Sequence, residues 1–395
     1  MKRFFFSVLA LAAVAVGCTK SGIVDLPQSL QTPIEFEPYS GKSLVTKADT
    51  AGITTLQQAL ASGGGIHVTG FLEDTEGTVN DYATSLYMNK DVSYSADKWV
   101  YEGASYWPET GSLSFVAYGL NSGSAFAAKE GSKTDFTFTV DDNVADQKDL
   151  LVSPIMPAQK ITTPTVSIKL YHLLSRVEFA IKTNNSEDND VQVLIKDVKL
   201  RGKFVKTGDV DLTDATAAIT PAGNAVETSY SVFDTEYVKG TTTGTTEYPG
   251  FLLTANTVTA TPIYNNVTFT PAGLISTEGD GTSFPTTTDE TEKDSRYMML
   301  MPGQVGAPEG YEHPYIEVVY QLTDAEEQVA TVPLTQTVTT ENEGQTTTTT
   351  ENWTFAAGKA YKFVFTVSTT AIGFTVEVDP WDVLDDSTHT LVPEV

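Results

Sequence analysis

Residues able to do chemistry are few and scattered in this 395-residue chain. The four histidines, His67, His172, His313 and His389, have no local partner pattern, and Cys18 is the single cysteine. His172 falls on an apolar strand face, which fits a packed core histidine better than a metal ligand. Asp141-Asp142 and Asp382, Asp385-Asp386 miss the EF-hand succession of oxygen ligands, glycine and distal glutamate, so they read as solvated loops. There is no GxSxG elbow, Walker loop, dinucleotide fingerprint or HExxH pair. Two carboxylates would suffice for glycoside hydrolysis, but 51 acidic residues give no way to pick them out. Nothing in the chain argues for an enzyme, a cofactor or a metal.

The opening stretch is more informative. Lys2 and Arg3 precede an apolar run from Phe4 to Val16, long enough for a signal-peptide core and too short to span a bilayer. The run ends in Ala15-Val16-Gly17-Cys18, small residues directly before the cysteine. This resembles the lipobox of bacterial lipoproteins, in which residues 1–17 are removed and Cys18 carries the acyl groups. A polar tether follows. Next come Pro33-Ile34-Glu35-Phe36-Glu37, alternating as a strand, and Thr46-Lys47-Ala48-Asp49 in a loop-like context.

Composition narrows the class of partner. The chain has 51 acidic and 24 basic residues; losing Lys2 and Arg3 with the leader gives a net charge near −29 (22 − 51). No Lys/Arg-rich stripe is present, which disfavours nucleic acid and polybasic membrane binding. With Cys18 lipidated no disulfide is possible, so the fold rests on sheet cores. Abundant Thr, Val, Tyr and Phe, punctuated by Gly and Pro, point to an all-β sandwich protein.

Ile53, Leu56 and Leu60 before Gly63-Gly64-Gly65 leave a short helix and a loop equally open. The aromatics from Tyr87 to Tyr118 are expected to fill a core rather than to stack on sugars. Residues 154–164, rich in Pro and polar residues, read as a linker between units 48–160 and 161–395. Two parity switches are expected to be bulges or bends: at His172–Ser175, and at Lys196–Asp197 between Val193/Ile195 and Val198/Leu200. Thr335–Thr354 reads as a hairpin turning near Asn342-Glu343-Gly344. Tyr361–Val367 and Ile372–Val378 form the clearest hairpin.

The ordered set of Ile34-Glu35-Phe36, Thr46-Lys47-Ala48, Tyr87-Met88-Asn89, Tyr106-Trp107-Pro108, Leu113-Ser114-Phe115, Asp149-Leu150-Leu151, His172–Val177, Met301-Pro302 and Gly358-Lys359 resembles the fimbrillin family. These are lipoprotein-derived pilins of type V pili and their accessory relatives in Gram-negative anaerobes. The resemblance implies two transthyretin-like β-sandwich domains in tandem and an outer-membrane lipoprotein precursor. It also implies a trypsin-like protease cutting after the first strand and polymerisation with other fimbrial subunits by strand exchange. By position the cut falls at Lys47-Ala48, with lysine where the family more often has arginine. The segment Asp382–Val395 is the expected replacement strand for a neighbour. The alternative is a permanently lipid-anchored surface protein that binds a glycan or host protein and does not polymerise.

Overall fold

The computed structural model describes residues 32–40, 65–73, 82, 85–96, 98–119, 126–128, 134–159, 165–183, 192–214, 216–233, 235–240, 246–253, 259–271, 297–322, 325–342, 345–367, 372–380 and 387–389. Among them are strands and turns but no α-helix, as the all-β composition leads one to expect. The segment left open between helix and loop lies outside the described residues, apart from Gly65.

The first nine strands are β1 (Glu35–Ser40), β2 (Ile66–Leu72), β3 (Leu86–Ser95), β4 (Lys98–Tyr101), β5 (Leu113–Gly119), β6 (Phe126–Ala128), β7 (Asp135–Thr139), β8 (Leu151–Ser153) and β9 (Thr165–His172). Seven of them form one sheet in the order β1-β9-β8-β5-β2-β3-β4. Alternation puts Ile66 and Val68 of β2, Phe115 and Ala117 of β5, and Val166, Ile168 and Leu170 of β9 into one core. The sheet curls round that core. Residues just before β1 close the curl by pairing with the segment after β4: Ile34 N donates to Ser105 O at 2.9 Å and Trp107 N to Thr32 O at 3.0 Å. Gly70 makes the curl possible in β2, because a Cβ there would stand 2.9 Å from both Met88 and Phe115.

The remaining strands are β10 (Ser175–Thr183), β11 (Val193–Phe204), β12 (Thr207–Asp211), β13 (Thr220–Ala222), β14 (Val226–Ser231), β15 (Tyr248–Leu253), β16 (Thr261–Pro262), β17 (Val267–Phe269), β18 (Met298–Leu300), β19 (Gly303–Gln304), β20 (Tyr315–Leu322), β21 (Gln328–Pro333), β22 (Thr335–Asn342), β23 (Gln345–Asn352), β24 (Thr354–Phe355), β25 (Lys359–Val367), β26 (Ile372–Pro380) and β27 (Ser387–His389). One six-stranded sheet runs β16-β10-β25-β26-β27 with β18 beside β10; another runs β17-β15-β11-β20-β21 with β14 beside β11. Phe179, Phe363 and Phe365 of the first face Ile195, Leu200 and Val318 of the second across a common core. That is a β-sandwich.

The two parity switches have different origins. At Lys196–Asp197 the register of β11 against β20 shifts between Ile195 and Asp197, a bulge as expected. At His172–Ser175 there is no bulge within one strand. β9 belongs to the curled sheet and β10 to the sandwich, where β10 pairs in parallel with β25. Leu173 and Leu174, between them, enter a third core with Phe71, Val116, Phe136 and Met299. The chain changes sheets, so the apolar face changes with it. Pairing also crosses residue 160 three times, β9 with both β1 and β8, and β12 with β7.

Loop 232–240 lies against the outer side of β11 through buried charges. Lys199 Nζ donates to Tyr237 O at 2.6 Å, and Tyr237 N donates to Asp197 Oδ2 at 2.8 Å. Burial pushes the Asp197 carboxyl up to about 6, against the opposing pull of Ser231, Lys199 and the Tyr237 amide. An acid raised in the folded state binds its proton more tightly there than in the unfolded chain. Its contribution is therefore full below the ordinary carboxylate range and lost as pH rises through about 6. Wild type should accordingly gain stability over Asp197→Asn between pH 7 and pH 4, by roughly 2–3 kcal/mol. Thermal melts of the two proteins at both pH values check this; an unchanged difference would contradict it.

Candidate functional site: the seat of the first strand

β1 is an edge strand and pairs with β9 in parallel, Phe36 opposite Val166 and Pro38 opposite Ile168. A proline within a strand fits an edge, where one side of the backbone needs no partner. Ile34 and Phe36 point inward and are 1% and 4% exposed, while Glu35, Glu37 and Tyr39 point outward. The Phe36 ring meets Phe115 edge-on at 5.6 Å and Tyr101 at 5.8 Å; Trp107 approaches Phe115 from 6.1 Å. Tyr101 Oη donates to Ile34 O at 2.6 Å, and burial raises that hydroxyl above the ordinary tyrosine value. Aromatic packing and one half-buried hydroxyl thus hold a strand whose backbone is paired in parallel, slightly the weaker mode per residue.

The aromatic stretch reads mainly as core. Trp107 is buried, and Trp99 and Tyr101 pack partly buried against the same cluster. Tyr87 is more exposed, its hydroxyl donating to Tyr106 O at 2.6 Å.

Cys18, Lys47 and Ala48 lie outside the described residues, as does Leu44. β1 ends at Ser40, seven residues (47 − 40) before the expected cut. Of the expected replacement strand, Ser387–His389 is described. It pairs with β26, His389 opposite Val376 and Ser387 opposite Val378.

His172 is a buried core residue, and folding brings a carboxylate to it from 23 positions away: its Nδ1 stands 2.8 Å from Asp149 Oδ2. Sequence spacing gave no hint of that pair, which forms because β8 and β9 are neighbours. His67 is bracketed by Asp91 Oδ1 at 2.6 Å and Asn89 Oδ1 at 2.8 Å. Asp142 pairs with Lys206, and Asp141 Oδ1 accepts from the Asn143 amide at 2.9 Å. Among the described residues no group of three or more His, Cys, Asp or Glu could hold a metal ion.

Phe36→Ala should cost about 3–5 kcal/mol, and Tyr101→Phe about 1 kcal/mol. In both variants amide exchange of β1 should rise before that of the sandwich strands. Uniform acceleration across the chain would show that β1 is not separately held.

The chain shares its fold with a fimbrial protein from Bacteroides vulgatus at 15% identity and a TM-score of 0.50, covering 91% of this chain and 99% of that one. A protein from Bacteroides uniformis provisionally assigned to cell adhesion aligns at 12% identity and a TM-score of 0.43, over 90% of this chain and 100% of the other. No curated protein matches the sequence. A profile of the fimbrillin-like family matches residues 46–250, more than half of the length, and the chain belongs to that fimbrillin-like family.

Proposed function

We infer that the protein is a structural subunit of a type V-like fimbrium, supporting adhesion, exported to the outer membrane as a precursor acylated at Cys18. A trypsin-like protease cuts between Lys47 and Ala48, and the freed subunit joins other fimbrial subunits by strand exchange. Family membership supports the broader part, a fimbrial protein of the cell surface with a structural rather than enzymatic role.

The seat of β1 carries the finer reading. Cleavage after Lys47 would remove Ile34 and Phe36 from the core, at roughly 1.5–3 kcal/mol for each fully buried side chain. It would also leave the β9 edge and the 105–107 backbone without partners. That is a large part of a usual margin of about 5–15 kcal/mol. A cut subunit would gain by accepting an extended strand from a neighbour. The segment Asp382–Val395 is the donor in this reading, and its described part, Ser387–His389, pairs with β26. The tandem arrangement of two sandwich units, 48–160 and 161–395, belongs to the same reading.

Limited trypsin treatment followed by electron microscopy tests this. Wild type should yield filaments, Lys47→Ala should stay uncut and monomeric, and deletion of 382–395 should permit the cut yet abolish filaments. Filaments from the tail-deleted protein would assign the donor elsewhere. Trimmed monomers from wild type would instead favour the permanently anchored binding protein. Cys18→Ala should accumulate unprocessed and away from the outer membrane in cell fractions; normal recovery there would refute acylation.

A further inference from the structure

The Thr-rich hairpin has a firm base and two open edges. Leu334 and Trp353 at its foot are buried; Leu334 N donates to Pro314 O at 2.7 Å and Trp353 N to Leu334 O at 3.0 Å. Asn352 is held as well, its Oδ1 standing 2.8 Å from His313 Nδ1. Above this base, among the described residues, β22 and β23 pair only with each other, from Thr335↔Asn352 to Asn342↔Gln345 without a register shift. Eight residues per strand project roughly 27 Å. Thr346–Glu351 are all exposed.

An isolated two-stranded hairpin is marginal in water, and exposed edges are ordinarily guarded by lysine, proline or a bulge. Residues 335–352 contain no lysine, arginine or proline, and half of the eighteen are threonine, a strong strand former. We propose that the outer edge of β23 pairs antiparallel with the same edge of a second copy of this chain, giving a four-stranded sheet about a two-fold axis that passes between Thr348 and the partner's Thr348. The sequence is self-complementary in that register. Thr348 faces the partner's Thr348, Thr347 faces the partner's Thr349, Thr346 faces the partner's Thr350, and Gln345 faces the partner's Glu351. No carboxylate opposes another, whereas like charges directly opposite would destabilise a strand pair. The length of the hairpin also keeps two strongly acidic bodies apart, so the contact should tighten as salt screens their repulsion. It needs neither the removal of β1 nor the C-terminal tail, so it is independent of the assembly route above.

The test uses uncleaved chain carrying Lys47→Ala, which removes strand exchange from the readout. Sedimentation across micromolar to submillimolar concentrations should show a monomer–dimer equilibrium. Thr347→Lys with Thr349→Lys opposes two lysine pairs across the axis and should weaken dimerisation by about tenfold or more. Thr347→Glu with Thr349→Glu should do the same. A mixture of the two double variants should recover a dimer containing one of each. Both pairs of substitutions are exposed, so melting of the body should not change. A wild-type chain that stays monomeric, double variants that dimerise as well as wild type, or a mixture that fails to recover would each overturn the proposal.

Discussion

Phe36 is the wedge on which the curled sheet depends. It fills the space between Phe115, in the middle of β5, and Tyr101, at the far end of the sheet. Phe115 has no exposure and also supports Trp107, so loss of the wedge would open a cavity bordered by the rings of Phe115 and Tyr101. Cavities of that kind cost more than the transfer energy of the missing atoms, because neighbours relax only in part. The same strand joins both ends of the sheet: its backbone pairs with β9 while the residues just before it pair with 105–107. One short segment thus closes the core and the hydrogen-bond circuit together. Few positions in a sheet protein concentrate so much on so little chain.

The sandwich is secured differently. Its outer face along β11 is covered by loop 232–240 through Lys196, Asp197 and Lys199. Glu327 ties Lys196 at 2.7 Å to the Tyr237 hydroxyl at 2.7 Å and the Gly240 amide at 2.8 Å. Burial alone would raise the Glu327 carboxyl, but these three donors outweigh it and hold the group below its ordinary value. Asp197 shifts the other way because burial dominates there. Buried ion pairs add little net stability once desolvation is counted, and their effect is to fix geometry. Here they fix a loop over Leu194, Leu252 and Phe269, which would otherwise be an open apolar face.

Local alternation made much of this architecture legible. Tyr361–Val367 against Ile372–Val378 reads directly as a hairpin, and the structure pairs Phe365 with Phe374. The Thr-rich hairpin likewise turns between Asn342 and Gln345. The bulge at Lys196–Asp197 was visible because both halves of β11 lie in one sheet. The same signal at His172–Ser175 meant a change of sheet, and parity cannot distinguish the two without knowing the partners. The inward face of β1 was legible from Ile34 and Phe36, and Pro38 marks it as an edge. Its parallel pairing with β9, 130 residues away, was not, because register across such a separation leaves no trace in either strand alone. The Asp149–His172 pair was hidden for the same reason.

Edges connect these observations. A sandwich protein without disulfides must end each sheet somewhere, and every end offers unpaired backbone to another chain. In the β20 sheet the end is β21, which finishes at Pro333, a residue with no amide to donate. In the curled sheet the end is β1, a strand cheap to remove in hydrogen bonds and costly to lose in buried rings. In the β25 sheet it is β27, three residues paired to β26. The hairpin β22–β23 has two ends and neither proline nor lysine to guard them. Protection is therefore uneven: β1 carries Pro38 and β21 ends at Pro333, whereas β27 and β23 carry neither proline nor lysine. A protein under selection only to remain monomeric would have guarded those two as well, since one lysine or proline on each would suffice.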